Sequence, residues 1–251
     1  MRPRPLCYLG LLLCAVSPSV WGQQAFPVAA LPALPPTESI IANMVAQGKW
    51  NDRALRSFEE LRLFQAANPR FKQSATREVR TTFHAPDSYD SVVVRDDGSR
   101  LIRQRVFDPI LDAEKEAQPA KEKNSYDILP ENYSFRADGV DTCDGRACYR
   151  VAISPKRKNK FLLEGFIWVD AEDFGLARVQ GTPSKKLSFW VVKALVTRTY
   201  IRVGNVWLTA RIESDSDLFI AGHSSLSIEY TYSAIQTSDP CPGEVCSGIA
   251  R

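Results

Sequence analysis

The sequence predicts an α+β fold built on a curved antiparallel meander, with something packed into its concave side. Three observations carry this. Residues 161–232 are dominated by β-branched and aromatic side chains, which suit a pleated, half-buried surface. The interruptions are turn residues: Asp170 to Asp173 (DAED), Gly181-Thr182-Pro183-Ser184, and Gly204-Asn205 at the two-residue spacing of tight hairpins. The last strand alternates, with Leu226, Ile228, Tyr230 and Tyr232 on one face and Ser225, Ser227, Glu229 and Thr231 on the other. Such a strand has one buried and one wet face. Phe161 to Val169 is apolar on both faces apart from Glu164 and Gly165, so cover is expected on both sides.

Taken in order, residues 1–22 read as a cleaved signal peptide. Arg2 and Arg4 form the positive n-region, Leu6 to Val16 the apolar core, and Val20 and Gly22 precede a cut ahead of Gln23. The apolar run is shorter than the roughly 20 residues a bilayer span needs. A lipobox is opposed by Leu13, which stands before Cys14 where a small residue is required. Removing Arg2 and Arg4 from the 32 basic residues leaves 30 against 29 acidic ones. No global field or recognition motif points to nucleic acid. The expected compartment is periplasmic or secreted.

Residues 23–36 form a Pro/Ala-rich linker, and the domain is expected over 37–236. A helix should start at Thr37, which caps the first turn, and stop at Gly48. Its stripe Ile40, Ile41, Met44 and Val45 is ordinarily core, and its functional counterpart is one wall of an apolar cavity. Extended segments follow from Ser57, with Asp97-Gly98 as a hairpin signal between Val92-Val93-Val94 and Leu101-Ile102. Asp108-Pro109 predicts an N-cap and first turn of a helix to about Ala117.

Four cysteines survive cleavage, in two C-x4-C pairs. A Cys143–Cys148 bridge would staple a hairpin and contribute roughly 2 kcal/mol. Cys241 and Cys246 enclose Pro242 and Gly243 in a C-terminal tail, residues 237–251. Four cysteines allow three pairings, of which the two local bridges are preferred. A zinc site built from both pairs is disfavoured by an oxidising compartment and by the lack of a nearby His.

From Ser154 the residues resemble a family. SPKRKNKFLLEGFIWVDAEDFGLARVQGTP, then RTYIRVGNVWLTARIES and the final IEYTYS, are similar to envelope proteins of the LolA/LolB/RseB-like superfamily. The closer likeness is to relatives named for outer-membrane lipoprotein sorting. The motifs are the basic turn Pro155-Lys156-Arg157-Lys158, then Gly165-x-x-Trp168-x-Asp170 and Gly204-x-x-Trp207-Leu208. The resemblance implies an unclosed, strongly curved antiparallel sheet, a half-barrel with short helices on its concave face. It also implies an apolar cavity for a lipid or lipoprotein acyl chains, or an envelope protein partner in a sensor role. No position matches a carrier-type cargo arginine.

The cavity candidates are therefore the stripe Ile40, Ile41, Met44 and Val45 above a floor of Leu208, Ile212, Leu226, Ile228 and Tyr230. Each methylene buried there is worth about 0.8 kcal/mol. Lys156, Arg157, Lys158 and Lys160 concentrate charge in one turn. That turn is either a solvated tip or a peripheral membrane contact to anionic head groups. Trp168, Trp190 and Trp207 read as core aromatics. Chemistry finds little support, and no cofactor or metal is expected. His84 and His223 sit at strand ends, and no nucleophile elbow, P-loop or H-E-x-x-H is present. Glu213, Asp215 and Asp217 alternate along a strand end as a solvated face rather than a calcium site, and Asn132-Tyr133-Ser134 is a weak sequon. The sequence reads as a non-enzymatic binding protein, with an interaction or sensor module as the alternative.

Overall fold

The computed structural model describes residues 32–86, 88–117, 126–186 and 191–238. The predicted signal peptide, most of the linker, Trp190, Cys241 and Cys246 lie outside these residues. Helix α1 (Thr37–Ala54) is followed by β1 (Leu55–Asn68), β2 (Gln73–His84) and β3 (Ser88–Gly98). A helical run then comprises α2 (Arg100–Ile102), a π segment (Arg103–Phe107) and α3 (Asp108–Ala117). The remaining strands are β4 (Tyr133–Cys143), β5 (Arg146–Pro155), β6 (Leu163–Asp170), β7 (Leu176–Pro183), β8 (Val191–Val203), β9 (Val206–Leu218) and β10 (Gly222–Thr237).

All ten strands make one antiparallel sheet in the order β3-β2-β1-β10-β9-β8-β7-β6-β5-β4. Its edges β3 and β4 do not meet, so this is the unclosed half-barrel of an α+β fold. Helix α1 touches β1, β9 and the far edge β4, strands that only a curved sheet brings to one helix. Ile40, Ile41 and Met44 pack there on Tyr149, Val151, Ile153, Ile167, Val169 and Val179. Ile102 and Phe107 cover Phe64, Ala66, Ala75, Val79 and Ile228. Curvature has a local source at β6 and β7, where Gly165 faces Gly181. A Cβ on Gly165 would lie 2.2 Å from the Gln180 carbonyl oxygen, so only glycine permits this approach. Gly165→Ala should destabilise the fold by about 1–3 kcal/mol, read as a lower urea midpoint with an unchanged slope.

Several expectations are corrected. Helix α1 runs through Gly48, whose missing Cβ would meet no atom within 4 Å, because Trp50 and Ala54 still find cover on Phe58, Phe83 and Val206. Thr37 does not cap it; Pro36 occupies that position, and the Thr37 hydroxyl accepts the Ala137 amide of β4 at 2.9 Å. Asp97-Gly98 ends a strand but opens no hairpin. Gly98 takes φ 80°, and Leu101-Ile102 is helical. The helix expected from Asp108 is thus already under way at Arg100. Pro109 has no N–H to give residue 105, and the π widening over Arg103–Phe107 spans that gap in the ladder.

The outer face of β6 is only partly covered, with Phe166 exposed, as is Phe161 in the turn before the strand. Arg150 lies over Phe166 at 5.6 Å and Arg178 over Trp168 at 5.3 Å. In the β4–β5 hairpin, Asp144 and Gly145 take φ 48° and 81°, forming a two-residue turn that sets Cys143 opposite Arg146. Cys148 is therefore the diagonal neighbour of Cys143, and the expected bridge between them is not formed: both are buried free thiols in one cluster with Trp168 and Ala177. The sequon Asn132 is buried, and its amide donates to the Asp127 carbonyl.

Candidate functional site

The pairing register lets the helix-bearing face be followed across the sheet. One rank runs Asp96, Arg77, Phe64, Ile228, Ile212, Arg198, Val179, Ile167, Val151 and Ala137, one residue from each strand. Its left part lies under the α2–α3 run and its right part under α1. The cover ends at β8, where Val196 and Tyr200 are half-buried and Arg198 between them is exposed. Arg198 nevertheless faces inward, since both its strand neighbours, Val179 and Ile212, do so. Tyr200 is the largest influence holding its guanidinium charged, ahead of Tyr230 and Glu114, against desolvation by the surrounding walls.

Beside Arg198 a polar network is built into the concave face. On β1 the buried residues Phe58, Glu60, Arg62 and Phe64 alternate at the core-facing positions. Arg62 Nη1 donates to Glu114 Oε2 of α3 at 2.6 Å and Nη2 to Thr81 Oγ1 at 3.0 Å. Its Nε lies 3.2 Å from Glu60 Oε1 without forming a hydrogen bond. Burial pushes the Glu60 carboxyl up to about 7, against the pull of Arg62. Burial likewise pushes Tyr230 up to about 12 and raises Tyr232. Tyr232 donates to the Thr209 carbonyl at 2.8 Å. Arg77 anchors the other end of α3, bonding Asp108 at 2.6 Å and Asp96 at 3.0 Å.

The predicted site residues divide among separate clusters. Ile40, Ile41, Met44 and Val45 belong with β4–β7. Leu208 packs with Ala54, Phe58 and Phe83. Ile212, Leu226, Ile228 and Tyr230 lie with the α2–α3 run. The expected continuous floor beneath the α1 stripe is therefore not formed. A bulge in β9, where Thr199 pairs with Arg211 and Tyr200 with Thr209, shifts Leu208 out of step with Ile212. Ile228 is 2% exposed, so a charge there would report on folding rather than on a ligand.

In the basic turn, Lys156 Nζ donates to the Pro130 carbonyl at 2.6 Å and Arg157 Nη1 to Asn132 at 2.7 Å. Lys160 lies 4.7 Å over the Phe161 ring, and Lys158 is exposed. Asp215 and Asp217 flank His223 at 3.5 and 3.6 Å. Among the described residues no cluster fit to hold a metal occurs, and no helix is long and apolar enough to cross a membrane.

Arg198, Arg62 and Glu60 were the functional candidates missed in the sequence. Their signal was positional: each holds an alternate-face register with apolar neighbours, Val196 and Tyr200 in one case, Phe58 and Phe64 in the other.

No protein-family model matches the chain, and no curated protein matches it in sequence. Solved structures do resemble it. A putative outer membrane lipoprotein-sorting protein domain from Vibrio parahaemolyticus is 10% identical, with a TM-score of 0.42, over 81% of this chain and 93% of that one. A DUF1329 family protein from Desulfovibrio piger is 10% identical, with a TM-score of 0.41, over 82% and 95%. A LolA superfamily protein from Nitrosomonas europaea is 12% identical, with a TM-score of 0.36, over 82% and 95%. Likenesses at these scores fix neither ligand nor partner.

Proposed function

We propose that this chain is an extracytoplasmic binding protein that holds an acyl-chain lipid, or the acyl chains of a lipidated partner, on its concave face. The binding place is the uncovered stretch of β8 and β9, with Arg198 at the ligand's acidic head. One observation carries the reading: a charged, solvent-reached guanidinium stands mid-rank between two apolar layers, flanked by half-buried Val196, Tyr200 and Ile212. An amphipath satisfies both kinds of surface, because its chain gains about 0.8 kcal/mol per buried methylene and its head gains a charge-assisted hydrogen bond. Export is what the expected signal peptide implies, and in an oxidising compartment the neighbouring thiols Cys143 and Cys148 would be bridged.

A second reading has its own support. The layers under α1 and α3 are filled by side chains, with Ile40, Phe64 and Phe107 fully buried, as an envelope interaction module would require. A fluorescent fatty-acyl probe separates the two. Wild type should bind it, and Arg198→Glu should weaken binding at least tenfold, since a charge-assisted bond is worth roughly 1.5–3 kcal/mol, while its melting temperature stays near wild type. A folded wild type that takes up no probe and co-purifies with no lipid rules out the lipid reading.

A further inference from the structure

Because neighbouring strands are all antiparallel, the connections alternate between two rims of the sheet. One rim carries the β1–β2, β5–β6, β7–β8 and β9–β10 connections. The other carries the β2–β3, β4–β5, β6–β7 and β8–β9 turns. The two differ in chemistry. Among the described turn residues of the second rim the charges are Asp144, Glu172 and Asp173, with no lysine or arginine. The first rim is basic in three of its connections: Arg70 and Lys72, the turn around Lys158, and the exposed pair Lys185 and Lys186.

The same rim exposes large apolar side chains at its tips. Phe71 is 53% exposed, Phe161 46%, Phe219 70% and Ile220 55%. Phe71 stands between Arg70 and Lys72, and Phe161 follows Lys160. These tips come from separate connections, share no core, and alternate with cations along the edge of a curved sheet.

We propose that this rim docks on an anionic phospholipid surface, inserting Phe71, Phe161, Phe219 and Ile220 among the acyl chains while the adjacent cations meet the head groups. Basic residues near such a surface and apolar tips at its boundary are the two forces of peripheral membrane binding. A broad surface is required, since the tips are spread over three connections and a single peptide segment would reach only one or two. A polyanion such as nucleic acid would meet the cations but leave Phe219 and Ile220, whose connection has no cation, without a partner. This docking surface is independent of what the concave face holds.

The test is sedimentation of the mature chain with phosphatidylcholine vesicles prepared with and without phosphatidylglycerol. Binding should need the anionic lipid and weaken as salt is raised. Lys185→Glu with Lys186→Glu should weaken it more than roughly tenfold, at about fivefold per cation. Phe219→Ser with Ile220→Ser should weaken it roughly tenfold, with little change in the salt dependence. These positions are exposed, so both variants should keep the wild-type melting temperature. Equal sedimentation with neutral vesicles, indifference to both variants, or displacement by duplex DNA overturns the proposal.

Discussion

Arg62→Met should destabilise the fold by about 3–5 kcal/mol, because it leaves a buried carboxyl without its counter-charge. That is a large part of the 5–15 kcal/mol that holds a typical domain together. Glu60 and Arg62 are 8% and 4% exposed, so water cannot replace the lost partner. The variant also frees Glu114, whose 2.6 Å bond to Arg62 ties α3 to β1. Adding Glu60→Gln to Arg62→Met should restore part of the loss, since the uncompensated charge is then gone.

The same pair gives a pH signature. Glu60 is raised from 4.5 to about 7 in the folded state, so between these values the folded chain binds a proton that the unfolded chain has released. Stability from this group is therefore fully present below about pH 4.5 and is lost as pH rises through 7. On the order of 3 kcal/mol is at stake, at about 1.4 kcal/mol per pH unit. Melting temperatures between pH 5 and 8 should fall with pH in wild type and flatten in Glu60→Gln. An unchanged slope in that variant would place the titration elsewhere.

Much of the sheet was legible because its signals are local. Gly204-Asn205 is a hairpin turn, with Gly204 at φ 61°, and Asp170 to Asp173 begins the β6–β7 connection. The alternation from Leu226 to Tyr232 does put Ile228 and Tyr230 on the helix-bearing face. What the sequence did not show was which polar side chains are buried. Glu60 and Arg62 hold core-facing positions of β1 because Glu114, 52 residues from Arg62, supplies the partner, and no local window contains that fact. Asp97-Gly98 failed differently: a glycine at positive φ marks where a strand ends, not whether a strand or a helix follows. The cavity floor failed because one extra residue in β9 changes which side chains share a cluster. That bulge has no signature in the run Val206 to Leu218.

Asp170→Ala should cost about 3 kcal/mol or more, the second large effect, and by a different route. Its carboxylate is 1% exposed and accepts Arg146 Nε at 2.6 Å and Nη2 at 2.9 Å. It also accepts the amides of Glu172 and Asp173 at 2.9 and 3.2 Å, so one side chain organises the β6–β7 turn and pins it to β5. Removal orphans two backbone donors and strips the buried partner from Arg146, which among the described residues keeps the ion pair to exposed Glu172 at 2.9 Å. Asp170→Asn should be nearly as costly, because an amide has one acceptor oxygen and turns a donating NH2 toward the second guanidinium N–H. Despite its burial, the bonds from Arg146 and the two amides hold the Asp170 carboxyl below its ordinary value. Its stabilisation is therefore present above the unfolded value near 3.8 and is lost as pH falls through the lower folded value, opposite in sign to Glu60. Acid unfolding followed by circular dichroism should thus show a limb below about pH 3.8 in wild type that is weaker in Asp170→Asn, which has no carboxyl there to protonate. An acid limb that is the same in wild type and Asp170→Asn would show that this carboxylate does not set the lower bound of stability.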